Sequence, residues 1–469
     1  MASGQAPVGA WFVAIPALAA LLWWIVRQDG GRVWAALFGG VGYFGASLSW
    51  IVEPFLIDVA RHGWMAPFAL VMMAFGLALF WAAAAAAAAG GRRVWVLAVA
   101  LAVAELARGY VLTGFPWALI GHVWIDTPLA QGAAVVGPSG VTLLTLLAAA
   151  GLTQWRLAPL GVGGLAAVWG FGVWQLAQPA PAPPGITLRL VQPNAEQAAK
   201  WDADKAQLWF DRLLAYTAVQ PAPDLVIWPE TALPYLIEQH PELPGLIAAA
   251  GGGATVALGR QRIEGPRGWN SLTVIGPDAQ IVAEYDKHHL VPFGEYLPLG
   301  DLAYRWFGLR AFAAQEGNGY SAGPGPRVLD LGPLGRVVPL ICYEAVFPQD
   351  LRTAERPDWL LQVTNDAWFG QWTGPFQHLA QARLRAIEQG LPMARVANTG
   401  VTAMIDARGR IVDALPFGVA GYLDVALPGG LPITPYARWG EVPVLFILTT
   451  LLALALRRRP VLDGPRQTD

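Results

Sequence analysis

The 469-residue chain is poor in cysteine and in charge: Cys342 is its one cysteine, and only 14% of its residues are Asp, Glu, Lys or Arg. A single cysteine excludes an internal disulfide and any multi-thiolate metal centre. A net charge of -2 provides no basic surface to displace counterions from phosphates, so no nucleic-acid partner is expected. Soluble proteins carry about 25% charged residues, and the shortfall excludes a simple cytosolic enzyme. Hydrophobic residues at 55% exclude a disordered chain.

The shortage of charge is uneven. Residues 1–177 hold seven Arg, no Lys and five acids, 12 charges in all, whereas the other 292 residues hold 52. Six apolar runs occupy this first part, at about 8–26, 33–51, 64–89, 94–112, 131–153 and 158–177. Each approaches the ~20 residues that cross a hydrocarbon core of about 30 Å. A seventh, at about 441–456, stops at Arg457, Arg458 and Arg459. The first run lacks a preceding basic residue and a following small-residue cleavage site, so it reads as a retained span and not a signal peptide.

Basic residues collect in cytoplasmic loops. Arg27 and Arg32, Arg92 and Arg93, and Arg156 fall in every second loop, while the loops around 52–63 and 113–130 share only Arg61. This places the N-terminus and the chain after 177 outside the cytoplasm. The sequence therefore divides into a helical membrane domain (1–177), a Pro-rich linker (178–185), an extracytoplasmic domain (186–435) and a C-terminal span with a basic cytoplasmic tail (436–469). Glu105 and Arg108, one helical turn apart in the fourth run, mark either a functional pair or a satisfied one. The Ala run 82–89 and Gly39, Gly40, Gly42 and Gly45 read as helix-packing surface.

The outer domain alternates β-rich runs with helical patterns. Runs at 186–192, 224–230, 254–259, 272–275, 281–287, 336–342 and 359–365 end abruptly at polar residues, and helices are expected at about 203–219 and 376–390. Near-continuous apolar strands with amphipathic helices imply a sheet covered on its faces, with reacting groups beyond the strand ends. Glu230, Lys287 and Cys342 all fall there. A cysteine nucleophile needs a base to remove its proton and a donor to hold the tetrahedral oxyanion, roles that a carboxylate and a lysine can fill. Taken singly, each of the three is equally a buried small residue or a solvated charge.

The surrounding residues narrow the choice. Trp228-Pro-Glu230, Tyr285-Asp-Lys287-His-His-Leu290 with Val291-Pro-Phe-Gly-Glu295, and Ile341-Cys-Tyr-Glu344, in that order, resemble the nitrilase superfamily. Arg108-Gly-Tyr-Val-Leu-Thr-Gly-Phe-Pro-Trp117, Asn365-Asp-Ala-Trp-Phe-Gly370 and Asn398-Thr-Gly-Val-Thr402 are similar to its membrane branch, the bacterial apolipoprotein N-acyltransferases. The resemblance implies a multi-span α-helical membrane domain plus an extracytoplasmic α/β nitrilase-like domain, an αββα sandwich, in the bacterial inner membrane with its catalytic domain on the periplasmic side.

It also implies the chemistry. The Cys342 thiolate would take the sn-1 acyl chain of a phospholipid, typically phosphatidylethanolamine, as a thioester and pass it to the α-amino group of a lipoprotein's diacylglyceryl-cysteine. Glu230 would be the base, Lys287 and the Tyr343 N–H the oxyanion donors, and Glu295 a second, supporting glutamate. Tyr343 and Glu344 would shape the pocket, while Trp201 and Trp368 would lie near substrate. Residues 296–309, with Trp306 and Phe307, suggest an interfacial arm that gates access of lipid, or ordinary packing. The family usually has eight spans against the seven counted here, the missing one being the first.

Other signals carry less. Gly319-Tyr-Ser-Ala-Gly323 matches a serine-hydrolase pattern but lies in a Gly- and Pro-rich loop without the strand and helix that pattern requires. The six His (62, 122, 240, 288, 289, 378) show no metal-ligand spacing, so no metal and no cofactor is expected. Two rival readings are a membrane-tethered amidase that passes its acyl group to water, and a transporter or receptor with an outer binding domain.

Overall fold

The computed structural model describes residues 1–88, 93–197, 203–298, 319–353 and 355–457. Two compact units emerge: one of Met1–Leu48, Leu70–Trp174 and the chain from Trp439, the other of Ser49–Ala69 and Gln175–Arg438. Residues 49–69, grouped with the first part on sequence grounds, thus cluster with the second unit.

The first unit is helical. Three helical stretches, Val59–Ala87, Pro128–Leu152 and Ala158–Ala177, are long and apolar enough to cross a membrane. The run expected at 33–51 is instead a bent pair, Arg32–Ser47 and Ser49–Leu56, at 66°, and Trp11–Arg27, Val94–Ala107 and Val442–Ala455 are shorter apolar helices. Within Ala158–Ala177 only Gly172 is buried, an all-round apolar surface suited to lipid. Of the glycine cluster, Gly40 lets its helix approach Ala78, whose Cβ would lie 2.9 Å from an added methyl, whereas Gly42 faces open space. Glu105 and Arg108 are fully buried and satisfied. Arg108 donates to both Glu105 oxygens at 3.1 and 2.8 Å and to the carbonyls of Phe115, Trp117 and Ala118, fixing the Gly114-Phe-Pro-Trp117 turn.

The second unit holds two six-stranded sheets, not the one that periodicity implies. The first runs β12(Gly421–Ala426)-β1(Thr187–Gln192)-β2(Leu225–Ile227)-β3(Thr255–Glu264)-β4(Arg267–Ile275)-β5(Ile281–Asp286), with β1, β2 and β3 parallel. The second runs β11(Ile411–Leu415)-β10(Thr402–Ile405)-β9(Met393–Ala397)-β8(Trp359–Thr364)-β7(Arg336–Ile341)-β6(Leu329–Asp330), with β7, β8 and β9 parallel. The sheets pack face to face, β1 on β9 and β10, and β4 on β7. Helices Ala203–Thr217 and Leu243–Gly251 cover the first sheet through Phe210, Leu213 and Ile247. Helix Gly374–Gln389 covers the second through Leu379, Ala382 and Ala386. Strands buried on both faces explain the continuous apolar runs. The helix–sheet–sheet–helix order is the αββα sandwich.

Candidate active site

Parallel strands deliver their C-terminal residues to one end of a sheet, where backbone groups leave the ladder and side chains gain freedom. Three parallel strands in each sheet end in this way. Glu230 lies three residues beyond β2, Lys287 directly beyond β5, and Cys342, Asn365 and Asn398 directly beyond β7, β8 and β9. The turn carrying Glu230 lies so close to β3 that a Cβ on Gly259 would sit 2.3 Å from the Pro229 carbonyl oxygen, so only glycine fits there.

Glu230, Lys287 and Glu295 form one buried cluster. Lys287 Nζ lies 2.9 Å from both Glu295 oxygens and 3.6 Å from Glu230 Oε1. Asn270 Nδ2 donates to Glu230 at 2.7 Å and to Glu295 at 3.1 Å, while the Val291 N–H donates to Glu295 at 2.8 Å. Burial alone would strip the proton from Lys287, but Glu295 and then Glu230 outweigh it and hold the ammonium charged, its pKa raised. Burial, followed by the charge of Glu230, pushes the Cys342 thiol above its ordinary value, with Lys287 opposing. Burial and the Glu230 charge together favour the thiol over the thiolate.

Cys342 has φ +53°, in the left-handed region that a non-glycine residue holds only when its surroundings impose it. Two buried networks impose it. On one side, the fully buried Glu344 takes the Ile341 N–H at 2.7 Å on Oε2, and on Oε1 the His288 N–H at 2.8 Å and the Tyr285 hydroxyl at 3.0 Å. One carboxylate thus ties the backbone before Cys342 to the backbone after Lys287. Glu344 lies behind the Cys342 backbone in this way, while Tyr343 is buried against His289 and Phe347.

The second network has no local sequence signal, because its members are scattered along the chain. His378, fully buried, is pushed below its ordinary pKa by burial, against the charge of Asp366. Its Nδ1 lies 2.9 Å from Asp366 Oδ1, and its Nε2 lies 3.1 Å from both Gln362 Nε2 and the Cys342 carbonyl oxygen. Gln362 Nε2 also donates to the Cys342 carbonyl at 3.3 Å. Arg395 fixes the amide's orientation by donating to Gln362 Oε1 at 2.8 Å, and it also binds Asp366. The signal that could have found part of this ring is Asp366, inside the Asn365–Gly370 motif. His378→Ala is expected to slow loading of Cys342 about 10²-fold, the cost of a roughly 1 Å misplacement, with KM for the donor unchanged. Pre-steady-state kinetics check it, and an unaltered loading rate would contradict the positioning role.

Of the remaining expected residues, Trp368 lies half-buried in the short helical turn Asp366–Phe369. Trp201, Trp306 and Phe307 fall outside the described residues. Gly319–Gly323 is an extended loop, with no helix after Ser321, as a serine-nucleophile elbow would require.

The profile of a family described as Carbon-nitrogen hydrolase matches residues 187–430, and that of the Apolipoprotein N-acyltransferase N-terminal domain matches residues 1–151. An apolipoprotein N-acyltransferase of Caulobacter vibrioides is 40% identical over 88% of this chain and 84% of its own. One of Rhizobium meliloti is 39% identical over 90% and 85%. Among solved structures, XC1258 of Xanthomonas campestris, a CN-hydrolase superfamily protein, matches at 20% identity and a TM-score of 0.40, over 60% of this chain and 99% of its own.

Proposed function

The chain belongs to the apolipoprotein N-acyltransferase family, and on that basis we propose that Cys342 carries an acyl chain from a membrane phospholipid to the α-amino group of a lipoprotein's diacylglyceryl-cysteine. The observation that carries this reading is the convergence of Glu230 and Lys287, 3.6 Å apart, whose charges both act on Cys342.

Glu230 takes the Cys342 thiol proton as sulfur attacks the sn-1 ester carbonyl. The oxyanion is held by Lys287 Nζ and the N–H of Tyr343. Collapse breaks the ester C–O bond, and Glu230 returns the proton to the departing lysophospholipid oxygen. The thioester that remains is reactive toward an amine. In the second half the diacylglyceryl-cysteine amine attacks, Glu230 accepts its proton, and the expelled thiolate is reprotonated. Glu295 takes no proton here: its two contacts with Lys287 keep the ammonium placed between both carboxylates.

Phosphatidylethanolamine is the proposed donor. Arg27, Arg32, Arg92, Arg93 and Arg156 support an inner-membrane orientation with the catalytic unit on the periplasmic side. Detergent-purified protein given phospholipid labelled in its sn-1 chain together with a diacylglyceryl-cysteine peptide is expected to move label to the peptide amine. Label released instead as free fatty acid, with none on the peptide, would favour the hydrolytic amidase reading.

A further inference from the structure

We propose that His288, His289 and Asp350 form a zinc-binding site at the corner where the turn after β5 meets the turn after β7. The sequence conceals it, since Asp350 lies 61 residues beyond His289. Folding brings the turn Pro348–Leu351 against the residues that follow Lys287, and the ligand atoms of the three side chains lie within 4.8 Å of one another.

The separations suit a tetrahedral ion. Zinc bonds of 2.0–2.1 Å place neighbouring ligand atoms about 3.3 Å apart. Asp350 Oδ2 lies 3.4 Å from His288 Nε2 and 3.0 Å from His289 Nδ1. His288 Nε2 is buried and makes no hydrogen bond of ordinary geometry. Its other ring nitrogen is already taken: Nδ1 sits 2.6 Å from Glu344 Oε1 and 2.8 Å from the Tyr285 hydroxyl. That is the carboxylate–histidine arrangement that orients a ring and raises the basicity of its ligating nitrogen. The His289 ring is fixed by stacking on Phe347 at a centroid distance of 3.6 Å.

Donor type selects the metal. Two imidazoles and one carboxylate favour zinc over the oxygen-seeking calcium and magnesium. Side-chain exposures of 13%, 17% and 11% leave the corner reachable and a fourth position open to water. None of the three ligands takes part in acyl transfer. Through Glu344, which also grips the Ile341 N–H, the ion braces the backbone beside both Lys287 and Cys342.

The test uses the full chain in detergent, stripped of metal and then titrated with zinc chloride. The wild type and Cys342→Ala are expected to retain one zinc per chain after desalting, and Asp350→Asn and His289→Gln to bind it roughly tenfold or more weakly. Cobalt in place of zinc should give visible d–d absorption without a thiolate-to-metal charge-transfer band. No retained zinc in the wild type, equal affinity in the Asp350 and His289 variants, or a charge-transfer band lost with Cys342 would each overturn the site.

Discussion

Glu230→Gln is expected to slow acyl loading of Cys342 by about 10²–10⁴-fold, the usual contribution of a placed general base. The substitution is nearly isosteric and keeps an oxygen to accept from Asn270, so the fold should persist. Because the thiol is raised by burial and then by Glu230, removing that negative charge should also shift the pH profile of Cys342 alkylation by a small reagent to lower pH. The two readouts move in opposite senses: the thiolate forms more readily, yet acyl transfer fails for want of a group to shuttle the proton to the leaving oxygen. Loading at the wild-type rate would remove Glu230 from the mechanism. An alkylation profile shifted to higher pH would contradict its electrostatic effect on the thiol.

Lys287→Met should cost both activity and stability. Loss of an oxyanion donor in a buried site slows the chemical step about 10²–10³-fold. The same change leaves Glu230 and Glu295, both buried and both facing the vacated position, without their shared cation. Breaking a buried ion pair on one side costs about 3–5 kcal/mol, which thermal unfolding in detergent would register as a lowered Tm. Adding Glu295→Gln removes one of the stranded charges and is expected to restore much of the Tm without restoring loading. Recovery of loading in the double variant would show that Lys287 serves only to neutralise Glu295.

Much of this site was legible before folding because the reacting residues sit at strand ends inside distinctive local runs. Ile227, Ile341 and Thr364 close buried, mainly apolar strands, and Glu230 three residues past the first, Cys342 directly past the second and Asn365 directly past the third lie where the chain leaves the sheet. Strands with mixed burial were harder to see. In β11 and β12 exposed and half-buried residues alternate irregularly, and β9 places the charged Arg395 in its middle, where burial is tolerated because Gln362 and Asp366 take its donors.

The membrane runs mislead for a related reason. Hydropathy does not register the break at Leu48 and Ser49, where the helix bends by 66° and the chain joins the second unit through Trp50, packed on Phe369 at 4.9 Å. Clusters assembled by tertiary contact have no local signal at all. His378 joins Asp366 and Arg395 only once helix Gly374–Gln389 packs on the ends of β8 and β9, and His288 and His289 meet Asp350 only once the turn after β5 reaches Pro348–Leu351.

The central claim is that Cys342 is acylated by lipid. Intact mass of the protein purified from membranes in mild detergent, before and after neutral hydroxylamine and beside Cys342→Ala, tests it most directly. A fatty-acyl-sized adduct that hydroxylamine removes and the variant lacks is the expected result. No adduct after added phospholipid, or an adduct that persists in Cys342→Ala, would contradict it.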